Sequence, residues 1–139
     1  MTVAISTDAA QTGWMKIHIL GNATAAGLVG QVYNPEGVLL QIVRGVLYVT
    51  TASTAASTFN IGIGATGVDA SDLVSALDVN ATTAGTVHQV VGQDLASEGA
   101  ATTPKGVLWP ATSYVTVTSA ANASTGLVAD LFLQYIRLA

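Results

Sequence analysis

The segment VLLQIVRGVLYVTT, residues 38–51, is the strongest strand pattern in the sequence and decides the fold class. Its β-branched and aromatic side chains favour extended backbone because their χ1 angles are restricted. Both of its faces are largely apolar, which is typical of a strand that is covered on each side. We therefore expect residues 38–51 to form a central strand of a β-rich domain.

Shorter strand patterns surround this segment on both sides. Met15, Ile17 and Ile19 alternate with Lys16 and His18, as in a half-buried strand. Similar patterns occur at residues 28–33, 59–63, 86–91, 107–109, 114–118 and 127–138. The sequence NPEG at 34–37 has Pro and Gly where a tight turn requires them. The chain thus reads as short strands separated by turns and small-residue loops.

The one helix candidate lies within residues 68–77. Ser71 is a candidate N-cap, and Leu73, Val74 and Leu77 would share one helical face. Together with seven or eight strands, this predicts an all-β, single-domain fold. We expect a β-sandwich or jelly-roll-like domain with at most one short helix near residues 71–77.

Two segments of the chain resemble each other. Tyr48-Val-Thr leads into a tip of Thr, Ala and Ser and then a strand with Phe59, and Tyr114-Val-Thr leads into a similar tip and a strand with Phe132. We interpret both as hairpins at the same end of the sandwich.

The length of 139 residues fits one domain. Residues 1–13 are mostly polar and show no strong core pattern, so we expect an extended N-terminal arm that becomes ordered on a neighbouring subunit. The β-sandwich domain would then span residues 14–139. Residues 1–10 lack the basic start and apolar stretch of a secretory signal, so we expect none.

The low charge of the chain excludes several classes of partner. Only 9% of residues are charged, against roughly a quarter in an average soluble domain. The net charge is −4, and the four basic residues are scattered rather than clustered. Binding to nucleic acid or to an anionic membrane is therefore not expected. A neutral, small-residue surface fits a protein that is packed against other subunits.

The sequence offers little for catalysis or metal binding. It has no Cys and only two His, His18 and His88, neither with a carboxylate close in sequence. We interpret Asp69, Asp72 and Asp78 as carboxylates that favour the start of the short helix. The glycines of IGIGATG, residues 61–67, lack the Lys of a phosphate-binding loop and fit a strand end or bulge. We expect no enzymatic activity, no cofactor and no metal.

The few aromatic residues are the candidate interface residues. Trp14 and Trp109 are interpreted either as core residues or as anchors buried against a partner. Tyr114 lies in a strand pattern, where it would pair across a sheet or join the same interface.

Parts of the chain resemble small structural proteins of tailed bacteriophages. The resemblance covers residues 38–138 and rests on YVTTASTAASTFNIGIG (48–64), LVSALDVN (73–80), WPA (109–111) and GLVADLFLQYI (126–136). It implies a β-sandwich or jelly-roll virion protein of the head decoration (cement) type. Such a protein would lie on the outer surface of the capsid, bind the major capsid protein and form trimers.

Two other functional classes remain open from the sequence. One is a receptor- or glycan-binding module of a phage tail or fibre, in which an exposed Trp would stack on sugars. The other is an enzyme such as a hydrolase, which the missing set of nucleophile, base and carboxylate disfavours.

Overall fold

The computed structural model describes residues 12–22, 26–80, 86–89, 107–119 and 122–138. These parts of the chain contain nine β-strands and no helix. The strands are β1 (Thr12–Leu20), β2 (Gly27–Tyr33), β3 (Leu40–Thr51), β4 (Thr58–Gly64), β5 (Val74–Asp78), β6 (Thr86–Gln89), β7 (Val107–Trp109), β8 (Tyr114–Ser119) and β9 (Val128–Arg137). The predicted all-β, single-domain β-sandwich is confirmed.

The strands form two antiparallel sheets. Sheet A has the order β1-β9-β3-β6, and β7 also pairs with β3 along the edge that β6 occupies. Sheet B has the order β2-β8-β4-β5. The chain crosses from one sheet to the other after β1, β2, β3, β5, β7 and β8, whereas β4 and β5 are neighbours in sheet B. The predicted central strand is β3, which pairs with β9 over nearly its whole length.

The core lies between the two sheets and is built from alternate residues of each strand. Trp109, Phe59 and Leu40 are among its largest fully buried side chains. At about 25 cal/mol per Å² of apolar surface removed from water, burial of these side chains is the main stabilising contribution of the fold. Each strand places about every second residue into this core.

The helix candidate near residues 71–77 forms no helix, which agrees with the expectation of at most one. Leu73 donates its backbone N–H to Ile61 O at 2.9 Å, and β5 follows as an edge strand paired with β4. Ala76 has a φ of +52°, which an α-helix does not allow. Leu73 and Val74 are consecutive and both buried, which one face of a short helix would not require, and both lie beside Ile61 of β4.

The two predicted hairpins are wrong, although their predicted location at one end of the sandwich is correct. The connections β3–β4 and β8–β9 each cross between the sheets. The two crossings bind one another: Thr54 N donates to Thr125 O at 2.9 Å, and Ser57 Oγ donates to Asn122 O at 3.1 Å. Short Ser and Thr side chains suit these two crossings, because they can form hydrogen bonds with backbone groups at this end of the core.

The predicted turn at residues 34–37 is present and is organised by Asn34. The Asn34 Oδ1 accepts hydrogen bonds from the backbone N–H groups of Glu36 and Gly37, both at 3.0 Å. Its Nδ2 donates to the carbonyl oxygens of Val38, at 2.9 Å, and Trp109, at 3.0 Å. Gly37 has a φ of +68°, which favours glycine. The turn is thereby fixed to the end of β7.

The strand β1 begins at Thr12, within the arm predicted at residues 1–13. Residues 1–11 lie outside the described parts of the chain, and so do residues 90–106.

Candidate interface surface

The outer face of sheet A, which points away from the core, exposes large apolar side chains. In β1, Ile17 and Ile19 point into the core, so the residues between them point outward. The exposed apolar residues on this face are Trp14, Leu20, Tyr48, Val87 and Leu108, of which Leu20 is the most exposed at 61%. Each strand of sheet A except β9 contributes at least one of them. Exposed apolar side chains are therefore distributed over four of the five strands of this sheet.

The strand register places two of these residues, Tyr48 and Val87, in one row across the sheet. His18 pairs with Asp130, Asp130 pairs with Tyr48, and Tyr48 pairs with Val87. One row thus runs from β1 to β6 and carries the hydrogen-bonded His18 and Asp130 at one end and Tyr48 and Val87 at the other. The row spans four strands, or about 14 Å at the usual strand spacing.

The charges at the β1 side of this face neutralise each other. Asp130 Oδ1 lies 2.7 Å from His18 Nδ1, and Asp130 Oδ2 lies 3.4 Å from Lys16 Nζ. The hydrogen bond with His18, and then the charge of Lys16, hold the pKa of Asp130 below its usual value. Lys16 Nζ also lies 5.8 Å from the centre of the Phe132 ring, a cation–π distance. A face with internally paired charge has less free charge to desolvate when it is covered.

The outer face of sheet B differs because the chain itself covers part of it. After β4, residues 65–73 cross over this face before β5 begins. A Cβ atom on Gly62 would lie 2.6 Å from the carbonyl carbon of Ala70 and 2.7 Å from the backbone nitrogens of Ser71 and Asp72. Thr116, which pairs with Gly62 and faces the same side, is fully buried. The crossing segment therefore lies directly on the sheet.

Two carboxylates hold the crossing segment in place. Asp69 Oδ1 accepts hydrogen bonds from Thr118 Oγ1 at 2.6 Å and Asn60 Nδ2 at 3.0 Å. These bonds, with that of Thr118 the larger cause, lower the pKa of Asp69. Asp72 Oδ2 accepts a bond from the backbone N–H of Ile63 at 3.0 Å.

The interpretation of these carboxylates as helix-start residues is therefore wrong, since they attach a loop to sheet B. Asp78, the third of the group, accepts a hydrogen bond from the backbone N–H of Asn80 at 3.0 Å just after β5. The glycines of residues 61–67 have the structural role that the sequence favoured. Gly62 allows the backbone of the crossing segment to approach, and Gly67 has a φ of +71°.

The three predicted interface residues do not come together. Trp14 lies on the outer face of sheet A with 57% of its surface exposed. Trp109 is fully buried, donates its Nε1–H to Ser113 O at 3.0 Å and packs edge-to-face on Tyr135. Tyr114 lies in sheet B, edge-to-face with Tyr33 at a ring separation of 5.0 Å. Of the two interpretations that the sequence left open, Trp109 has the core role within this chain.

Sequence reasoning missed Leu20, Tyr48, Val87 and Leu108 as surface candidates. Their strand positions were visible as period-2 alternation. The alternation of a strand does not say which of its two faces a second layer covers, and that decides which apolar residues stay exposed.

The described residues give no sign of a metal site or a spanning helix. They contain no group of three or more His, Asp or Glu side chains placed to hold a metal ion. No helix in this part of the chain is long and apolar enough to cross a membrane. His88 lies in β6 opposite Leu47, and its side chain is outside the description.

The fold thus defines a two-layer β-sandwich with one partly covered and one exposed face. No family model and no curated protein matches the chain. Among solved structures, it is similar to a chain in the capsid of Ralstonia phage GP4, with a TM-score of 0.59 and 20% identity over 99% of this chain and 92% of that one.

Two further phage structures contain similar chains. The acidic stable capsid structure of Helicobacter pylori bacteriophage KHP30 gives a TM-score of 0.56 and 12% identity over 92% of this chain and 89% of that one. The capsid asymmetric unit of cyanophage Pam1 contains a chain with a TM-score of 0.52 and 17% identity over 99% of this chain and 93% of that one. At these identities the likeness establishes a shared fold over nearly the whole length of each chain.

Proposed function

We propose that this chain is a structural protein of a bacteriophage virion, of the head decoration (cement) type. It binds the outer surface of the assembled head, has the major capsid protein as its partner and acts as a homotrimer. The observation that carries the proposal is the likeness of nearly the full chain to chains in three phage capsid structures. The resemblance of residues 38–138 to small phage structural proteins supports it independently.

The order of the strands supports a jelly-roll architecture for this virion protein. β6 and β7 pair with separate parts of β3, at residues 46–49 and 40–42, and together act as one interrupted edge strand. When β6 and β7 are counted as one strand, the two sheets contain eight antiparallel strands, and the chain crosses repeatedly between the sheets. Jelly rolls of this kind are common in viral capsid proteins.

The outer face of sheet A is the surface proposed to contact the shell. It combines exposed Trp14, Leu20, Tyr48, Val87 and Leu108 with a charge cluster that is already paired. Apolar and aromatic residues are enriched, and free charges depleted, at the centre of protein interfaces. The partly covered outer face of sheet B offers fewer such side chains.

The proposed mechanism is stabilisation by mass action and involves no chemical step. A protein that binds only the assembled shell lowers the free energy of that state relative to its separated subunits. A trimer that contacts several capsid subunits gains from multivalency, so weak single contacts add to tight attachment. The low overall charge of the chain reduces the desolvation cost of each contact.

The experiment that tests this proposal measures binding of purified protein to phage heads that lack it. We expect the wild-type chain to cosediment with heads and to appear evenly over their surface in electron micrographs. A double variant, Tyr48→Lys with Val87→Lys, places two charges on the outer face of sheet A. We expect it to lose binding by at least about tenfold, since each buried unpaired charge costs several kcal/mol.

The matched control carries the same change on the other side of the molecule. Leu28→Lys with Val68→Lys alters two exposed apolar residues that belong to sheet B and its crossing segment. This control is expected to bind heads as the wild type does. Equal binding by both double variants would reject the outer face of sheet A as the contact, and no binding by the wild type would reject the decoration role.

One observation favours the alternative of a glycan-binding module on a tail or fibre. The ring of Trp14 is 57% exposed on an open sheet face, where a sugar ring can stack on it. Label confined to the tail in the same micrographs, with glycan binding that Trp14→Ala abolishes, would establish this alternative in place of the decoration role.

A further inference from the structure

Within the described residues β1 is an edge of sheet A, and its protection against pairing with another strand is limited to the charge of Lys16, which is already paired with Asp130. Its nine residues pair with β9 in unbroken register from Thr12 to Leu20, without a bulge. It contains no proline and no residue with positive φ among those described. One side of this strand therefore presents a regular row of backbone N–H and C=O groups, which is a template for strand addition.

The other described sheet edges are short or irregular. In β2, Gly27 has a φ of +113° and the register shifts between Leu28 and Gly30. β5 has only five residues, and Ala76 within it has a positive φ. The edge beside β3 is divided between β6 and β7, of four and three residues. Natural sheets use such irregularities to prevent edge pairing, and β1 has none of them, although it carries the charge of Lys16.

A cavity lies beside this edge, between the two sheets. It has a volume of about 140 Å³ and opens between β1 and β2. Ile17, Ile19, Val29 and Val32 contribute apolar side chains to its lining. Val29 and Val32 are only partly buried although they pack against the core. A strand added to β1 would direct every second side chain toward this cavity.

We propose that β1 receives residues 1–11 of a second copy of this chain as an added strand, with their apolar side chains in the cavity between β1 and β2. The acceptor is thus the edge of β1 together with Val29 and Val32 of β2. The donor is the N-terminal arm that precedes β1 in the neighbouring copy. Main-chain hydrogen bonds provide the attachment, and the cavity selects the side chains.

The sequence of residues 1–11, MTVAISTDAAQ, fits this role. Although most of the segment is small or polar, Met1, Val3 and Ile5 alternate with Thr and Ala, which gives one apolar face in an extended strand. Eleven extended residues reach about 36 Å, enough to leave one sandwich and follow β1 of another.

Folding back onto the β1 of the same chain is disfavoured by the residues next to β1. A two-residue hairpin needs residues that tolerate positive φ, most often Asn-Gly or Asp-Gly. The segment before Thr12 is Asp8-Ala9-Ala10-Gln11, without Gly. A longer loop would use up part of the eleven residues, whereas exchange between copies leaves all of them free to pair with β1.

Arm exchange of this kind is head-to-tail, because the donor and acceptor surfaces differ. Such a contact closes into a ring when the rotation between copies permits it. The inference therefore deepens the proposed homo-oligomer by naming its contact. It rests on that part of the proposed function but not on the location of the protein on a phage head, since the free chain suffices to test it.

The experiment compares two forms of the chain, one of them with and without added peptide, by sedimentation velocity and amide hydrogen exchange. We expect the wild type to form an oligomer in which the amides of β1 exchange slowly. A chain lacking residues 1–11 should sediment as a monomer, with faster exchange in β1. Adding a synthetic peptide of residues 1–11 to this shortened chain should slow that exchange again. The same peptide with Val3→Ser and Ile5→Ser should have no effect.

A second variant tests the acceptor without removing the donor. Val29→Lys places a charge in the cavity beside β1 and should reduce the oligomer to a monomer. Leu28→Lys, one residue earlier and on the opposite, exposed face of β2, should leave the oligomer intact. Circular dichroism of both variants verifies that the sandwich is folded.

A monomeric wild type, an oligomer that survives removal of residues 1–11, or peptide protection confined to the β6 and β7 edge would overturn the inference. In each of these cases binding to phage heads can still occur, which would leave the decoration role standing. An oligomer linked by the arms that does not bind heads would support this inference and reject the decoration role.

Discussion

At the scale of single residues, Gly62 shows how closely the crossing segment approaches sheet B. A Cβ atom at this position would lie within 2.7 Å of backbone atoms of Ala70, Ser71 and Asp72. Backbone atoms cannot move aside as a flexible side chain does. We expect Gly62→Ala to destabilise the protein by about 3 kcal/mol, at the upper end of the usual cost of overpacking. Urea denaturation of the purified variant measures this change.

The control for this prediction is Gly30→Ala, a glycine substitution in another strand. A Cβ atom on Gly30 meets nothing within 4 Å, and the residue does not have a positive φ. We expect its free energy of unfolding to change by no more than about 0.5 kcal/mol. Equal losses in the two variants would mean that glycine flexibility, rather than the approach of residues 70–72, explains the effect at Gly62.

At the scale of elements, an ion pair fixes the β2–β3 turn to β9. Glu36 accepts hydrogen bonds from Arg137 Nη2 at 2.8 Å and Arg137 Nε at 3.1 Å, and from the Tyr135 hydroxyl at 2.9 Å. The bonds from Arg137, followed by that from Tyr135, lower the pKa of Glu36 from its ordinary value of 4.5. The carboxylate is thus the form that the fold favours.

This shift gives the protein a sensitivity to acid. Because the pKa of Glu36 is lower in the folded than in the unfolded state, its contribution to stability is complete above pH 4.5 and is lost as the pH falls through the lowered value. We expect Glu36→Gln to be less stable than the wild type at neutral pH and to lose less stability between neutrality and acid. Urea midpoints measured across this range test the prediction.

Asp69 and Asp130 also have lowered pKa values, so the variant should retain part of the acid sensitivity. Parallel pH dependences for the wild type and Glu36→Gln would show that the ion pair does not contribute. Asp72→Asn, at a carboxylate that also accepts a backbone hydrogen bond, serves as the comparison for loss of a charge alone.

The elements that sequence reasoning predicted well are those whose hydrophobic pattern has one physical explanation. Residues 38–51 and 127–138 were expected as strands and form β3 and β9, because long β-branched and apolar runs bury well only in a paired strand. The helix near 71–77 failed because Leu73, Val74 and Leu77 have a spacing that fits a helix face equally well. Their environment at the edge of β4 decided the outcome.

Which strands pair with each other could not be predicted from the sequence, for a different reason. Alternation identifies a strand but not its partner, so the crossings after β3 and β8 were interpreted as hairpins. For the same reason, the sequence could identify only part of the candidate interface. Trp14 was predicted as an anchor candidate, whereas Leu20 and Leu108 became visible only once the strand order showed which face is uncovered.

At the scale of the whole molecule, the two outer faces differ in a way that suits attachment to a larger body. Residues 65–73 cover part of sheet B, while sheet A leaves Trp14 and other apolar side chains exposed on its outer face. The open face thus gives the molecule a preferred direction for contacts, as attachment to a larger surface requires. Because the edge of β1 lies in the plane of sheet A, the contact proposed there adds a second direction, along the sheet rather than away from it.

These two directions lead to a prediction about the phage head as a whole. If the proposed mass action holds, heads that lack the chain should become more resistant to heat as purified chain is added, and the gain should level off when the sites are filled. Fluorescence of a DNA-binding dye records the temperature at which heads release their genome. The chain lacking residues 1–11 should stabilise heads less at equal concentration, because single copies lose the multivalent contribution.

The Tyr48→Lys and Val87→Lys double variant separates contact with the shell from contact between copies. It keeps the arm and the edge of β1, so it should still form the oligomer, but it should leave the release temperature where it is without added chain. If instead this variant protected heads as the wild type does, the shell would be bound through another surface. The outer face of sheet B, with its Tyr33–Tyr114 pair, would then be the next to test.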